Sequence, residues 1–154
     1  MAFTLWIAAV GRLREGPERA LFEAYAARLQ WPVRVEEITL KPNLPVDAQK
    51  AKAAKKLLAA VPTGAAVIAL DEGGKELSSA AFASRIGRFQ DEGRAGLCFL
   101  IGGAEGLERR VLERADFVLS LGTMTWPHLL VRGMLAEQLY RAQQILKGHP
   151  YHRA

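Results

Sequence analysis

The sequence predicts a single α/β domain over residues 1–154, a mostly parallel sheet with helices on both faces. Three observations predict it. Short apolar or β-branched runs alternate with stretches of helical period about five times over. Several runs are apolar throughout, as strands covered on both faces are. No linker, low-complexity tract or repeat divides the chain. At 154 residues, half of them hydrophobic, it can bury a core as one unit without disulfides or a metal.

The predicted strands are Phe3–Val10, Val33–Leu40, Ala66–Leu70, Gly96–Ile101 and Phe117–Leu121. After Pro17, well placed to open a helix, Leu21, Ala24, Tyr25 and Leu29 share one face. Ala54, Leu57, Leu58 and Val61 do the same in a second helix, after a polar stretch Lys41–Gln49 that reads as a loop or helix entry. Phe82, Ile86 and Phe89 mark a third, with Ser78 or Ser79 as N-cap. The last helix runs from Pro127 to about Lys147 on the stripe Leu135, Leu139, Ala142 and Leu146, and Gly148 and Pro150 stop it.

One cysteine, Cys98, cannot close an internal bridge, and it falls inside a strand where an inert core role is expected. The apolar start, Met1–Val10, has no basic lead and is broken by Gly11 and Arg12, so neither a signal peptide nor a membrane span is expected. A cytoplasmic protein in a reducing compartment is the expectation. The formal charge of +5 favours an anionic partner without identifying one.

Ligands of open parallel sheets bind beyond the carboxyl ends of the strands. Three glycine-bearing loops should sit there: Leu70–Gly74, Ile101–Gly106 and Leu121–His128. Together they suggest a pocket built largely from main-chain groups. No G-x-G-x-x-G follows the first strand and no G-x-x-x-x-G-K-[ST] occurs, which disfavours dinucleotide and P-loop binding. There is no G-x-S-x-G elbow, and His128, His149 and His152 lack carboxylates at ligand spacing, so no metal is expected. Lys50, Lys52, Lys55 and Lys56 read as a solvated helix face. The tail His149–Arg153 gathers residue types suited to stacking on a nucleobase and pairing with phosphate, or is a solvated end.

Four segments carry a family resemblance: LDEGGK at Leu70–Lys75, LIGGAEG at Leu100–Gly106, LSLGTMTWPHLLVRGMLAEQLYRA at Leu119–Ala142, and HPYHR at His149–Arg153. They closely resemble the RlmH family, SPOUT-superfamily enzymes that methylate N3 of a pseudouridine in bacterial large-subunit ribosomal RNA from S-adenosylmethionine. The resemblance covers essentially the whole chain and is most specific from Leu70 onward. Ala104 departs from it where many members carry proline, and Gly122–Trp126 varies in detail.

The resemblance implies a C-terminal trefoil knot, an exception to the rule that chains are unknotted. It implies a homodimer, with the helix Pro127–Lys147 forming much of the interface. S-adenosylmethionine would be held by Leu70, Gly103, Gly122, Thr123, Met124, Thr125, Trp126 and Pro127. The RNA partner would be the large subunit or the assembled ribosome, whose surface would supply much of the recognition.

For such a reaction the N3 proton must leave as the nitrogen attacks the methyl carbon. Orientation in a pocket can contribute about 7–11 kcal/mol, and a base roughly 10²- to 10⁴-fold. His152 is the candidate to accept or relay the proton, and Arg153 to steer phosphate or stabilise the deprotonated ring. Glu105 and Arg132 are secondary candidates; a helix-terminal acid and an ion-paired helix residue are the equal alternatives. A side chain at Gly103 is expected to intrude on the cofactor, and Trp126 either walls the pocket or only packs. Two rivals stay open: a non-catalytic RNA- or ribosome-binding protein of the same fold, and a different α/β enzyme using NAD or ATP.

Overall fold

The computed structural model describes residues 2–149 and 151. Five strands form one sheet in the order β2-β1-β4-β3-β5, every pair parallel. They are β1 (Thr4–Val10), β2 (Val33–Ile38), β3 (Ala65–Glu76), β4 (Gly96–Ile101) and β5 (Phe117–Ser120). The helices α1 (Pro17–Ala26), α2 (Val46–Ala59), α3 (Ser79–Asp91) and α4 (Arg109–Arg114) connect successive strands, and α5 (His128–Leu146) follows the last. The predicted α/β class is observed.

Alternation along the strands sorts the core into two layers. Leu5, Ile7, Ala66, Ile68, Leu97 and Phe99 pack with residues of α1, α3 and α5. Ala8, Val67, Ala69, Cys98 and Leu100 face the other way, against α2 and Val111 of α4. All six residues of β4 are buried. Burial pushes the Cys98 thiol up to about 12, as an inert core cysteine requires.

Most of the helix signals correspond to helices of the structure. The Ser78 hydroxyl accepts the Ala81 N–H at 3.1 Å and caps α3. Leu135, Leu139 and Ala142 of α5 are buried, while Leu146 is 43% exposed. In α1 the buried side chain is Phe22, and Ala24, placed on the inner face by periodicity, is exposed. The helix is turned toward α5, where the Tyr25 ring lies 6.3 Å from that of Tyr140. The helix α4 was not expected, since its six residues are too few to display a helical period.

Two strands depart from expectation. β2 is an edge strand with only Ile38 buried, because the sheet continues on one side of it only. The segment Leu70–Gly74, expected to be a loop, remains part of β3 as it passes β5. Leu70 pairs with Leu119, the register shifts, and Lys75 and Glu76 pair with Leu119 and Ser120. A Cβ at Gly74 would come 2.7 Å from the Val118 carbonyl oxygen, so the crossing needs a residue without a side chain.

The segment Leu121–Pro127 then leaves the sheet edge and delivers α5 to the far end of β1. A Cβ at Gly11 would lie 3.6 Å from Nε2 of His128, which places the start of α5 over that strand end. Three inter-strand spacings separate β5 from β1 in the sheet order, about 14 Å. Seven extended residues reach roughly 23 Å, so the segment can bridge the ends of β3 and β4 on its way.

Candidate functional site

That crossing brings the glycine-bearing segments together. A cavity of about 390 Å³ opens between Leu70–Glu72, Ile101–Leu107 and the segment after β5. Of the residues predicted to hold a cofactor, Leu70, Gly103, Gly122, Met124, Thr125 and Trp126 wall it. Thr123 and Pro127 do not, and Pro127 instead occupies the N-cap of α5. The size lies within the range of small-molecule sites.

The segment is shaped from its first residue. Gly122 has φ +121°, a conformation that L side chains rarely adopt. The Ser120 hydroxyl brackets it, donating to the Gly122 carbonyl at 3.0 Å and accepting the Gly122 N–H at 3.1 Å. The Trp126 indole N–H donates to the Leu121 carbonyl at 3.3 Å and folds the segment back on itself. Trp126 is nonetheless 40% exposed, and Met124 is 71% exposed.

Main-chain donors are left over. Among the described residues, the N–H groups of Thr123, Met124, Thr125 and Trp126 donate to no protein acceptor, nor do those of Ala104 and Glu105. The loop after β4 is closed by the Gly106 N–H donating to the Gly103 carbonyl at 3.0 Å. Its constraint differs from the expected one: a Cβ at Gly103 would first meet Val10, 3.1 Å from Cγ1. Glu105 is exposed on this loop and faces the cavity.

Sequence reasoning missed Lys50 as a cavity residue, and His128, the last residue of the third predicted loop, was given no cofactor role there. Lys50 belongs to α2, so only the sheet order brings it near the β4 end. His128 opens α5, and its position after a glycine segment was the available signal. His128 and His149 lie apart, the latter accepting the Tyr151 N–H at Nδ1. Among the described residues no group of three or more His, Cys, Asp or Glu side chains converges, and no helix is long and apolar enough to cross a membrane.

Among the described residues Arg132 is the largest fully buried side chain, and its environment is that of an ion-paired structural residue. It donates to Glu37 Oε2 at 2.6 Å and to the carbonyls of Gly11, at 2.6 Å, and Val10, at 3.4 Å. Glu37 also accepts the Leu13 N–H at 2.6 Å. Burial works to raise the Glu37 pKa, but the Leu13 N–H and the Arg132 and Arg12 guanidinium groups outweigh it and hold the carboxyl below its ordinary value. The cluster pins the first turns of α5 to the ends of β1 and β2.

The candidate residues His152 and Arg153 lie outside the described residues. Tyr151, just before them, packs on α5. Its hydroxyl donates to Glu137 at 2.9 Å, its ring meets Tyr140 edge-on at 4.8 Å, and the Arg141 guanidinium sits 5.0 Å from it. Burial and the Glu137 bond push the phenol pKa upward. Glu137 walls a second cavity of about 460 Å³ between α1, α3 and α5, which shares Leu119, Leu121 and Gly122 with the first. The structure therefore does not bring Tyr151 into the glycine-framed cavity.

Comparison with known proteins places this arrangement. A family described as "Predicted SPOUT methyltransferase" matches residues 3–152. The chain is 57% identical over 150 residues to the ribosomal RNA large subunit methyltransferase H of Rhodospirillum centenum, covering 97% of this chain and 99% of that one. It is 52% identical to the protein of that name from Paramagnetospirillum magneticum, covering 97% and 98%. In structure it is similar to the SpoU methyltransferase AviRb from Streptomyces viridochromogenes, with a TM-score of 0.52 at 12% identity. That match covers 97% of this chain and 62% of AviRb. The AviRb complex with AdoMet matches with a TM-score of 0.51.

Proposed function

Because the chain belongs to the SPOUT methyltransferase family, we propose that it transfers a methyl group from S-adenosylmethionine to large-subunit ribosomal RNA. The observation that carries this reading is 57% identity spanning nearly the full length of both chains, with a relative named for that activity. The finer proposal is that the target is N3 of a pseudouridine, methylated on assembled ribosomes in the cytoplasm. The protein acts as a homodimer packed through α5, with its C-terminal segment knotted.

The glycine-framed cavity fits S-adenosylmethionine on this chain's own features. Leu70, Ile101, Leu119 and Val131 offer apolar walls, and the unpartnered N–H groups of Thr123–Trp126 and Ala104–Glu105 offer donors for polar edges. When bound, S-adenosylmethionine supplies an electrophilic methyl group on a cationic sulfur. Leu70, Gly103, Gly122, Met124, Thr125 and Trp126 would hold it, with Thr123 and Pro127 setting the course of the segment. Holding the methyl donor in one orientation against these walls would fix the direction of attack.

The nitrogen that is methylated must give up its proton. His152 is proposed to accept or relay that proton, and Arg153 to pair with a phosphate or with the ring once it carries charge. The test is transfer from labelled S-adenosylmethionine to ribosomes from cells lacking this protein, with naked ribosomal RNA alongside and the product nucleotide mapped by mass spectrometry. One N3-methylated pseudouridine is the expected product, with ribosomes preferred to naked RNA. Unchanged transfer by His152→Ala would remove that residue from the mechanism.

A further inference from the structure

A second groove adjoins the glycine-framed cavity. It has a volume of about 420 Å³ and lies where β1 and β2 end and α2 begins. The two share the Gly103–Gly106 loop, Lys50 and His128, so the groove leads directly to the cavity. Arg12, Arg14, Lys41 and Lys50 line it, and Glu105 is the single carboxylate among its lining residues.

Among the described residues Arg12, Arg14, Lys41 and Lys50 take part in none of the ion pairs or side-chain hydrogen bonds, whereas Arg94, Arg110, Arg132 and Arg141 do. Arg12 attracts the Glu37 carboxylate on β2 at longer range, but the direct contacts of that carboxylate are with Arg132 and the Leu13 N–H. Arg12, Arg14 and Lys41 are exposed, and Lys50 is half-buried at the junction of the two cavities. Four cations around one concave surface, none in a direct ion pair, attract an anionic chain that offers several charges in succession, as a nucleic acid backbone does.

We propose that this groove binds the sugar-phosphate backbone of RNA next to the nucleotide that enters the glycine-framed cavity. The inference rests on the methyltransferase reading and assigns the RNA a path over the β1–β2 end of the sheet. Phosphate contacts of this kind fix register and orientation, and base contacts inside the cavity would select the nucleotide. The tail of a second copy is a poor occupant, since from Arg141 onward the chain carries no acidic side chain.

The test compares the wild-type protein with the triple variant Arg12→Gln/Arg14→Gln/Lys41→Gln. Binding to ribosomes and to a large-subunit RNA fragment is measured across a salt series from about 50 to about 200 mM, where phosphate contacts show most clearly. S-adenosylmethionine affinity by calorimetry reports whether the variant is folded, and the single variants Arg14→Gln and Lys41→Gln replace the triple one if it is not. Lys52→Gln/Lys55→Gln on the exposed side of α2 is the control for overall charge.

The expected result is RNA affinity at least about ten-fold lower, with the slope of log affinity against log salt falling by about one for each contact removed. Cofactor affinity and the control are expected to stay unchanged. An unaltered slope in the groove variants, an equal loss in the control, or no RNA binding by the wild-type protein overturns the groove. If the wild-type protein binds RNA through the groove but transfers no methyl group, the groove stands and the catalytic reading falls. If it transfers methyl groups and the groove variants bind RNA as it does, the reverse holds.

Discussion

Two segments meet at the end of β1 and use their polar groups in opposite ways. The first turns of α5 are tied down: Arg132 is buried, and its guanidinium serves Glu37 and two carbonyls of the β1 end. The segment Leu121–Pro127, immediately before them, has four consecutive N–H groups with no protein acceptor among the described residues and exposes Met124 and Trp126. Stability and ligand binding are thus carried by separate, adjacent segments of this chain. A rigid anchor holds one end of a segment whose own donors remain available to a ligand.

Removing the anchor is the largest perturbation. Arg132→Met should destabilise the protein by about 3 kcal/mol or more, because it leaves a carboxylate and two carbonyls without their partner. Urea unfolding measures this. A loss below about 1 kcal/mol would show that α5 is held by its apolar packing alone. Glycine-framed binding should weaken as well, since the segment would lose its fixed end.

Gly122→Val probes the segment that the anchor holds. Its φ of +121° is strained for any L residue and more so for a β-branched one. S-adenosylmethionine affinity by calorimetry is expected to fall at least about ten-fold, or about 1.4 kcal/mol, with a smaller change in thermal stability than Arg132→Met produces. Retained affinity would mean that the turn at Gly122 does not shape the cavity.

A pH series sharpens the anchor's electrostatics. The Glu37 carboxyl sits below its ordinary value in the folded protein, so its contribution is fully present above the unfolded value of about 4.3. It is lost as the pH falls through the lower folded value. Urea midpoints from about pH 6 to about pH 3 should therefore drop more steeply for the wild-type protein than for Glu37→Gln, whose side chain does not titrate. Parallel acid limbs would show that the Arg132 pair is not what lowers the carboxyl. Trp126→Phe is the mildest change: it removes one exposed hydrogen bond and should cost under about 0.5 kcal/mol of stability. A measurable loss of cofactor affinity would distinguish a wall of the site from simple packing.

Much of the fold was legible in the sequence because strands and helices impose periods of two and 3.6 on neighbouring residues. Ser78 could be read as a cap and Leu135, Leu139 and Ala142 as a buried stripe from their local context. The family resemblance read from Leu70–Lys75, Leu100–Gly106, Leu119–Ala142 and His149–Arg153 is borne out by the SPOUT match over residues 3–152. Glycine punctuation marked three segments that do converge on one cavity. The exclusion of Thr123 and Pro127 from its walls was not legible, since spacing along an irregular segment says nothing of which way each residue faces.

From the sequence alone came the α/β class, the order of the strands and of every helix but α4, most of the core and the family. Tertiary structure alone decided that Leu70–Gly74 stays in the sheet by shifting register on β5, and that Arg132 pairs with an acid 95 residues away. It also decided that Lys50, read as part of a solvated helix face, stands at the junction of two cavities. The physical reason is the same in each case. Periodicity records which way a residue faces within its own element, whereas strand order and crossing segments decide which distant element it faces.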